Sequence, residues 1–511
     1  MNEQQANAFL LRSQYPLEPV ALDNLSVKFM KQACFVPLKL ADELLEIAIA
    51  DPQAADTLEA LEMAYGVTVR PNRGRPEDIQ EMIELLYGTG RQSLETIIEQ
   101  ADQDAFETLS DGEENADHLR DMASEAPIIR LVNRLILNAI EQRASDIHFE
   151  PFESEFKVRY RIDGVLNDVD APPKRLQSAI ISRVKIMAKL DISERRLPQD
   201  GRTKLKIGGK EIDFRISTIP TLFGESVVMR ILDRETLVLD MRQLGFPDHL
   251  LARYLKLVAQ PHGMILVTGP TGSGKTSTLY ATLSLINSPE NKIITLEDPV
   301  EYQLKGINQI QVAPKIGLTF AGGLRSIVRQ DPDIILVGEI RDRETAETAV
   351  QSALTGHLLF STLHTNDSAG AVTRMLDMGV ESFLLSSTLL GVLAQRLVRL
   401  ICPTCKTPYV PAPDELAAMG VAADEIDGLT LYQPGGCDAC RGTGYKGRTA
   451  IFEYLRVDDD IRREINAHSG TERIKKVAVE KGMMPLRRDG WQKVVEGRTT
   501  LAEVLKVTLE E

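Results

Sequence analysis

The sequence predicts an α/β protein built around a doubly wound parallel sheet. From residue 244 to about residue 400, short apolar strands alternate with helical patterns, as in a parallel sheet covered by helices on both faces. The apolar segment 264–267 runs into a glycine-rich loop, and a helical pattern follows. A strand, a loop of this kind and a helix in this order are typical of such a sheet.

Composition limits the classes of protein that the chain can belong to. With 511 residues, three or four domains are expected. Apolar residues make up 43% and charged residues 26%, which is ordinary for a globular protein. There are 59 basic and 74 acidic residues, for a net charge of −15. This acidic balance argues against a general nucleic-acid surface.

The sequence predicts neither a signal peptide nor a membrane-spanning segment. The first residues lack the basic region and cleavage site of a signal peptide. The longest apolar run, residues 383–394, is too short to span a bilayer, and it is predicted to be a core helix. We therefore expect a cytoplasmic chain that contacts the membrane only through partners.

Two modules precede the predicted parallel sheet. Residues 1–88 mix helical and extended patterns and predict a small α/β module. Residues 89–127 are rich in acids and predict a solvated linker, although an acidic helix face remains an alternative for residues 94–109. Residues 128–240 predict an α+β domain with an antiparallel sheet, in which Asp163 and Gly164 form a tight hairpin turn.

The glycine-rich loop fits the phosphate-binding pattern G-x-x-x-x-G-K-S/T. Glycines let backbone N–H groups point at phosphate, and the following helix N-terminus adds positive potential. Lys275 would neutralise the β- and γ-phosphates, and the Thr276 hydroxyl would ligate Mg²⁺. We expect a nucleoside triphosphate site in the residues Gly269, Pro270, Thr271, Gly272, Ser273, Gly274, Lys275, Thr276 and Ser277.

Carboxylates follow two of the predicted strands. Glu297 and Asp298 end the apolar segment that begins at residue 293, and Glu339 follows a glycine after the strand 334–337. The carboxyl ends of neighbouring parallel strands converge on one crevice, where Mg²⁺ and the attacking water would lie.

Two histidines bracket a further strand. His357 and His364 flank the apolar segment 358–363, and both could sense the γ-phosphate. The alternative is that each is a satisfied core histidine.

Four of the five cysteines form two C-x-x-C pairs. This spacing favours a closed, structural zinc site with four thiolates, and a pair of cytosolic disulfides is the alternative. The fifth, Cys34, lies in an apolar stretch and is predicted to belong to the core. The predicted ligands are Cys402, Cys405, Cys437 and Cys440.

In this order, the phosphate loop, Glu297 with Asp298, Glu339 and the two histidines resemble the secretion ATPase superfamily. Within it, the segments 144–151 (ASDIHFEP), 317–321 (GLTFA) and 324–333 (LRSIVRQDPD) resemble the assembly ATPases of type II secretion. The related extension ATPases of type IV pili are the alternative. The resemblance covers residues 128–511 strongly and the first 88 residues weakly.

The resemblance implies a homohexamer with a RecA-like core that hydrolyses ATP with Mg²⁺. Arg215 and Arg230 match arginines that close over the phosphates, although a solvated sheet face is the alternative for both. Arg325 and Arg329 match the arginines that precede the second carboxylate strand. Glu339 is favoured over Glu297 as the group that activates water. His364 is the expected γ-phosphate sensor.

The resemblance also implies a partner. Residues 1–88 would dock on the cytoplasmic domain of an inner-membrane secretion protein, which places the chain at the periphery of that membrane. The alternative is that this module folds onto the motor and stabilises it.

The remaining predicted regions are an ATPase core at 241–400, a zinc module at 401–446 and a helical region at 447–511. A nucleic-acid motor and a non-hydrolysing scaffold are the rivals from other classes.

Overall fold

The computed structural model describes most of the chain as two compact units, Met1–Leu232 and Asp233–Glu511. Residues 89–125 of the predicted linker lie outside the described residues. The described residues are 10, 15–16, 20, 22, 25, 27–41, 44–87, 126–207, 210–232, 238–421 and 429–508.

The N-terminal part of the first unit is a three-stranded sheet with helices. Strand β1 pairs antiparallel with β2, which pairs parallel with β3. Helix α2 ends at Gly66, whose φ of 65° is left-handed and favours glycine. Buried side chains such as Phe35, Ile47 and Ile83 form the apolar core of this N-terminal part. The elements are α1 Val27–Ala33, β1 Phe35–Ala41, β2 Leu44–Ile49, α2 Ala55–Tyr65, β3 Thr68–Arg73 and α3 Pro76–Tyr87.

A six-stranded antiparallel sheet follows, in the order β6-β5-β4-β9-β8-β7. Alternate residues of its strands face a core shared with two helices, as period-two patterns require. Asp163 and Gly164 have φ of 48° and 87° and join β5 to β6 in the predicted two-residue turn. The elements are α4 Ala126–Glu141, β4 Ala144–Pro151, β5 Phe156–Ile162, β6 Val165–Val169, α5 Gln177–Met187, β7 Gln199–Ile207, β8 Lys210–Thr221 and β9 Gly224–Leu232.

The second unit contains a seven-stranded sheet in the order β12-β11-β13-β14-β10-β15-β18. Every pairing is parallel except that of β15 with β18. Strands β16 and β17 are not part of this sheet and form a separate two-stranded antiparallel sheet. The strands are β10 Gly263–Thr268, β11 Ile293–Glu297, β12 Asn308–Gln311, β13 Ile334–Val337, β14 Leu358–Leu363, β15 Leu389–Ile401, β16 Thr407–Tyr409, β17 Leu431–Gln433 and β18 Tyr445–Arg456.

Helices cover both faces of this sheet, as the sequence predicted. Strands β10 and β14 are buried along their whole length, and their side chains enter two apolar clusters, one on each face. The helices are α6 Met241–Leu244, α7 Asp248–Val258, α8 Lys275–Ile286, α9 Phe320–Ile327, α10 Arg343–Leu354, α11 Ser368–Asp377, α12 Ser382–Thr388, α13 Pro413–Met419, α14 Asp459–Asn466, α15 Thr471–Glu480, α16 Leu486–Val495 and α17 Leu501–Thr508.

The apolar run at residues 383–394 is not one core helix. Helix α12 ends at Thr388, and β15 begins at the next residue. Strand β15 lies between β10 and β18, so both of its edges are hydrogen bonded and its side chains are buried on both faces. A continuous apolar run fits a strand in that position as well as it fits a helix, and tertiary pairing decides between them. The helix prediction for this run is therefore wrong in its second half.

The region 447–511 is helical only from Asp459 onwards. Its first residues belong to β18, which pairs with β15 over most of its length. The cysteine-rich segment is thus a connection between two adjacent strands of the main sheet. Among the helices that the structure describes, none is long and apolar enough to cross a membrane.

Helix α16 is held to β18 by a buried charged contact. The Asp489 carboxylate accepts hydrogen bonds from the Phe452 backbone N–H and from the Lys493 ammonium, both at 2.9 Å. Both charged side chains are 3% exposed. Removing one partner would leave a buried charge without compensation, which is more costly than the loss of an exposed ion pair.

We expect Lys493→Met to destabilise this part of the fold by about 3 to 5 kcal/mol, because Asp489 loses its counter-ion in a buried position. Trp491, the single tryptophan of the chain, is buried in the same helix, so its fluorescence reports unfolding there. The measurement is denaturant unfolding followed by that signal.

Lys476→Met is the matched control, because Lys476 is an exposed lysine of α15. Its effect should stay within about 0.5 kcal/mol. Equal stabilities of the two variants would contradict the importance of the buried pair.

Candidate functional site

The phosphate-loop sequence connects the end of β10 to the start of α8. Gly269, Gly272 and Gly274 have φ of 150°, 79° and 87°, which suit glycine. An added Cβ at Gly269 would lie 2.5 Å from the Gln395 carbonyl oxygen, so the loop also needs glycine for close packing. Helix α8 has Gly274 as its N-cap, and within the described part of the chain no side-chain cap bonds its N-terminus. Those N–H groups and the helix dipole are suited to bind an anion.

Lys275 lies in the first turn of α8 and folds back over the loop. Its ammonium donates to the carbonyl oxygens of Gly269 at 2.7 Å and Pro270 at 3.0 Å. Burial lowers the pKa of Lys275 to about 8, while the nearby Glu339 carboxylate opposes that shift. The Ser273 hydroxyl is buried and has no hydrogen-bond partner among the described residues. A partly desolvated cation and an orphaned hydroxyl fit a bound phosphate.

The loop is braced by Gln395 of β15, which the sequence analysis missed. Its side-chain amide donates to the Ser273 carbonyl at 2.7 Å and accepts from the Thr278 hydroxyl at 2.7 Å. The next residue, Arg396, is also buried and donates to the Asn366 carbonyl at 2.5 Å. The sequence did carry a signal for this contact, because Gln395 and Arg396 are polar residues inside a long apolar strand. Buried polar groups of this kind are usually hydrogen bonded.

Glu297 lies at the end of β11 with its carboxylate fully engaged. It accepts hydrogen bonds from the Tyr280 hydroxyl, the Thr295 hydroxyl at 2.5 Å and the Gln309 amide at 3.1 Å. Burial and the Glu297 charge raise the pKa of Tyr280, so its hydroxyl remains a donor. The carboxylate is therefore held rigidly at the carboxyl edge of the sheet.

Glu339 follows β13 and has more accessible partners. Its carboxylate contacts the Arg341 guanidinium at 2.5 Å and the His364 Nε2 at 3.2 Å. Arg341 is 70% exposed and His364 45% exposed, so neither contact is enclosed. Gly338 brings this residue close to β11, because an added Cβ there would lie 3.2 Å from the Leu296 carbonyl oxygen. Glu339 therefore lies at the same edge as Glu297, with a more exposed carboxylate.

The two histidines lie at opposite ends of β14. His364 follows the carboxyl end, next to Glu339. His357 precedes the amino end, about 20 Å away for a strand of six residues. Its Nδ1 lies 2.8 Å from the Ser352 carbonyl oxygen, as in a satisfied structural histidine. The prediction that His357 faces the phosphate is wrong, because the strand places it at the far edge of the sheet.

Arg325 and Arg329 lie on the outer surface of this unit. Arg325 pairs with Glu344 of α10 at 2.6 Å, and Arg329 donates to the Arg325 carbonyl at 2.7 Å. The 3₁₀ turn Val328–Gln330 precedes the amino end of β13, which is the edge opposite the phosphate loop. Among contacts of the described residues, neither arginine reaches the loop of its own chain.

In the first unit, Arg215 and Arg230 belong to a row of charged side chains. The row crosses five adjacent strands, and each of its residues pairs directly with the next one across the sheet. In this order the residues are Arg161, Asp146, Arg230, Arg215 and Arg202. Asp146 is nearly buried and accepts from the Arg230 Nε at 2.9 Å. Intervening residues of these strands enter the apolar core, so the row occupies the opposite face. The sequence pointed to two of these arginines, and the row appears only through strand pairing.

The four predicted cysteine ligands form a compact cluster. Their sulfur atoms all lie within 4.8 Å of one another, and the Cys402–Cys437 and Cys405–Cys440 distances are 3.9 and 3.7 Å. Tetrahedral bonds of about 2.3 Å place sulfurs about 3.8 Å apart, whereas a disulfide needs about 2 Å. The cluster could therefore hold a metal such as zinc, and the alternative of two disulfides is wrong.

Backbone groups stabilise the thiolate form within this cluster. The Cys440 sulfur accepts from the N–H groups of Cys437 and Gly444, both at 3.2 Å. Desolvation raises the pKa of Cys440, but these backbone bonds, together with hydrogen bonds to the Cys405 and Cys437 side chains, outweigh it and lower the pKa to about 6. Thiolate sulfur is the form that binds zinc.

The parallel sheet, the loop with Lys275 at its carboxyl edge and the adjacent Glu297 and Glu339 define a phosphate-loop nucleotide hydrolase. Comparison with known proteins identifies its family. Residues 121–506 match the family described as type II/IV secretion system protein, and residues 8–93 match the MshEN domain. The chain belongs to the type II/IV secretion system protein family.

Two relatives and one solved structure illustrate this membership. Type II secretion system protein E of Xanthomonas campestris pv. campestris is 52% identical, over 95% of this chain and 85% of that protein. The type IV pilus assembly ATPase PilB of Myxococcus xanthus is 46% identical, over 96% and 87%. The X-ray structure of the Legionella pneumophila ATPase DotB aligns with a TM-score of 0.55 at 20% identity, covering 74% of this chain and 95% of that one. The last similarity supports the fold.

Nucleotide binding should weaken as pH rises through about 8. Lys275 has a pKa of about 8, so above that pH it must take up a proton before pairing with phosphate. We expect ADP affinity to be flat below this pH and to fall by up to about tenfold per pH unit above it. Calorimetric titrations between neutral and alkaline pH measure the effect.

Lys275→Arg is the control, because a guanidinium stays charged over this range. Its affinity, whatever its value, should not change with pH. A wild-type profile that is equally flat would contradict the depressed pKa of the loop lysine.

We expect one tightly bound zinc ion per chain, lost in Cys405→Ser because the tetrahedral thiolate set becomes incomplete. Cys34→Ser is the matched control, since Cys34 lies in the N-terminal module, outside the cluster. Elemental analysis of protein purified without chelator gives the metal content. Metal-free wild-type protein, or equal metal in both variants, would rule out this site.

Proposed function

We propose that this chain is the cytoplasmic ATPase that drives pseudopilus assembly in type II secretion, at the periphery of the inner membrane. The observation that carries the proposal is the phosphate loop beside Glu297 and Glu339, in a chain that is 52% identical to a type II secretion protein E. ATP is the proposed substrate. Bound Mg²⁺ would neutralise phosphate charge and orient the β- and γ-phosphates.

The loop residues would hold the triphosphate. Lys275 would exchange its two loop carbonyls for the β- and γ-phosphates, which are stronger acceptors because they are charged. The hydroxyl of Thr276, half-buried in the first turn of α8, would hold Mg²⁺. Gln395 keeps the loop curled during this exchange through its bond to the Ser273 carbonyl.

The environments of the two carboxylates support different roles. Glu297 already accepts three hydrogen bonds from buried or partly buried donors, so it would orient the Mg²⁺ shell. Glu339 has partners on exposed side chains that can move, so its oxygen can be released to take a proton from water. His364, in contact with Glu339, would then be placed to sense the γ-phosphate.

The positions of the arginines support a homohexamer. Arg325 and Arg329 are exposed, and among the contacts of the described residues neither touches the loop of its own chain, so we infer that a role at a phosphate would use the site of a neighbouring copy. Arg215 and Arg230 would supply further positive charge from the charged row of the first unit. A transition-state arginine contributes about 10³ to 10⁵ in rate, which would make hydrolysis depend on assembly.

The N-terminal module supports attachment to a membrane partner. Residues 27–87 form a small sheet with its own apolar core, and the MshEN match covers residues 8–93. A tethered module can stay docked while the motor cycles. We propose that it binds the cytoplasmic domain of an inner-membrane secretion protein, and that the chain binds neither nucleic acid nor lipid directly.

The second candidate is a type IV pilus assembly ATPase, because a PilB relative is 46% identical over 96% of this chain. Disruption of the gene separates the two candidates. Loss of secreted proteins with normal surface pili supports the type II role, whereas loss of pili with normal secretion supports the type IV role.

We expect Glu339→Gln to bind ATP with nearly unchanged affinity but to hydrolyse it at least about 100-fold more slowly, because the amide keeps the shape and loses the basic oxygen. Lys275→Ala should instead lose most nucleotide binding, because the phosphate charge has no partner. Both variants are assayed for ATP affinity and for phosphate release with Mg²⁺. Turnover of Glu339→Gln near the wild-type rate would contradict its role as the base.

Deletion of residues 1–88 should remove membrane association and secretion while ATP hydrolysis by the purified chain stays within about twofold. The reason is that this module has its own core, so its loss should leave the second unit folded. Fractionation of cells and a hydrolysis assay give the two readouts.

The Lys275→Ala full-length chain is the control for this deletion, because it should remain with the membrane although it is inactive. Continued membrane association of the truncated chain would reject docking through this module. Loss of hydrolysis through unfolding would favour the alternative, in which the module stabilises the motor.

A further inference from the structure

A second concave site lies in the second unit, away from the phosphate loop. It is a cavity of about 580 Å³ between α7, the start of β15, the end of β18 and helices α14 and α15. Its volume falls within the range of small-molecule sites. Leu390 of β15 lines it, while Gln395 braces the loop five residues further along the same strand, about 17 Å away.

Positive charge dominates the lining of this cavity. Five cationic side chains line it, against one carboxylate, that of Asp458. In a chain with a net charge of −15, such a concentration needs an explanation. The five are Arg253, Lys256, Arg456, Arg462 and Lys481.

Two of these cations already have partners. Lys481 pairs with Asp458 at 3.2 Å and with Asp460, and Arg462 pairs with Asp459 at 2.8 Å. The Lys481 contacts join the end of α15 to the start of α14 and neutralise Asp458, whereas the Arg462–Asp459 pair lies within α14.

The other three cations are not compensated. Within the part of the chain that the structure describes, Arg253, Lys256 and Arg456 form no salt bridge or side-chain hydrogen bond. Arg253 and Lys256 are three residues apart on α7, so they project from the same face of that helix. Arg456 approaches from β18, opposite Gly391 in the strand register. Three like charges facing one space repel each other and favour a multiply charged anion between them.

A phenol group and an apolar floor complete the site. Burial raises the pKa of Tyr454 to about 12, although Arg456 and Arg253 oppose the shift, so its hydroxyl is a donor at neutral pH. Gly391 makes room for this ring, because an added Cβ would lie 3.0 Å from Tyr454 Cε2 and 3.2 Å from Leu257 Cδ2. Leu257 and Leu390 supply apolar surface beneath the charges.

We propose that this cavity binds a small soluble ligand that carries a diphosphate or a similar cluster of phosphates. Guanidinium groups match phosphate oxygens in pairs, and a diphosphate offers the several charges that three converging cations require. The apolar floor accommodates an attached base or other carbon skeleton. The cavity is concave and walled by five elements, which suits a small molecule better than a flat bilayer surface.

The test uses inorganic pyrophosphate as the probe and the full chain with Lys275→Ala, so that the phosphate loop contributes little. Isothermal titration should detect one saturable site. Adding Arg253→Gln and Arg456→Gln should weaken binding at least about tenfold, since two charge-assisted contacts are lost. Lys476→Gln, which removes one exposed positive charge of α15 outside the cavity, should leave the affinity unchanged.

Both cavity arginines are exposed, so their replacement should leave the melting temperature unchanged, which is measured alongside. A parent chain without saturable pyrophosphate binding would overturn the proposal, as would an equal loss in Lys476→Gln. A vesicle arm compares phosphatidylglycerol with phosphatidylcholine. If the two arginines are needed for vesicle binding and not for pyrophosphate binding, the site is a membrane contact and the proposal is wrong.

Discussion

The hydrogen bonds of Gln395 connect the sheet to the phosphate loop, and the geometry of the nucleotide site depends on them. A loop with glycines at positions 269, 272 and 274 has little conformational preference of its own, and ordering it costs entropy. The buried amide of Gln395 ties the Ser273 carbonyl and the Thr278 hydroxyl to β15. Because β15 is hydrogen bonded to β10 and β18 on its two sides, the loop takes its shape from the rigid sheet.

The two carboxylates at this edge of the sheet differ in how firmly they are held. Glu297 is enclosed by donors from Tyr280, Thr295 and Gln309, and displacing any of them would leave a buried polar group unpaired. Glu339 is paired with exposed side chains, and exposed ion pairs contribute only about 0 to 1 kcal/mol. A ligand or a water can therefore compete for Glu339 at little cost, while the carboxylate of Glu297 stays in place.

The cysteine cluster and the C-terminal helices stabilise the same strand pair from its outer side. The segment between Ile401 and Tyr445 connects β15 to β18, and it has little apolar core of its own. Small modules of this kind commonly depend on a metal or a disulfide for stability. Here the four sulfurs lie at metal-binding distances, and the Asp489 carboxylate, paired with Lys493 in α16, accepts a hydrogen bond from the Phe452 N–H of β18.

The sequence by itself determined the features that depend on residue types at short, fixed spacing. These were the phosphate loop at 269–276, the two cysteine pairs, the turn at Asp163 and Gly164, and the alternation that predicts a helix-covered sheet. Only the tertiary structure decided which apolar run is a strand, that His357 lies at the far edge of the sheet, and that Gln395 braces the loop. It also assembled the charged row around Arg230 from five strands. The physical reason is that these arrangements arise from pairing between segments distant along the chain, which local periodicity does not encode.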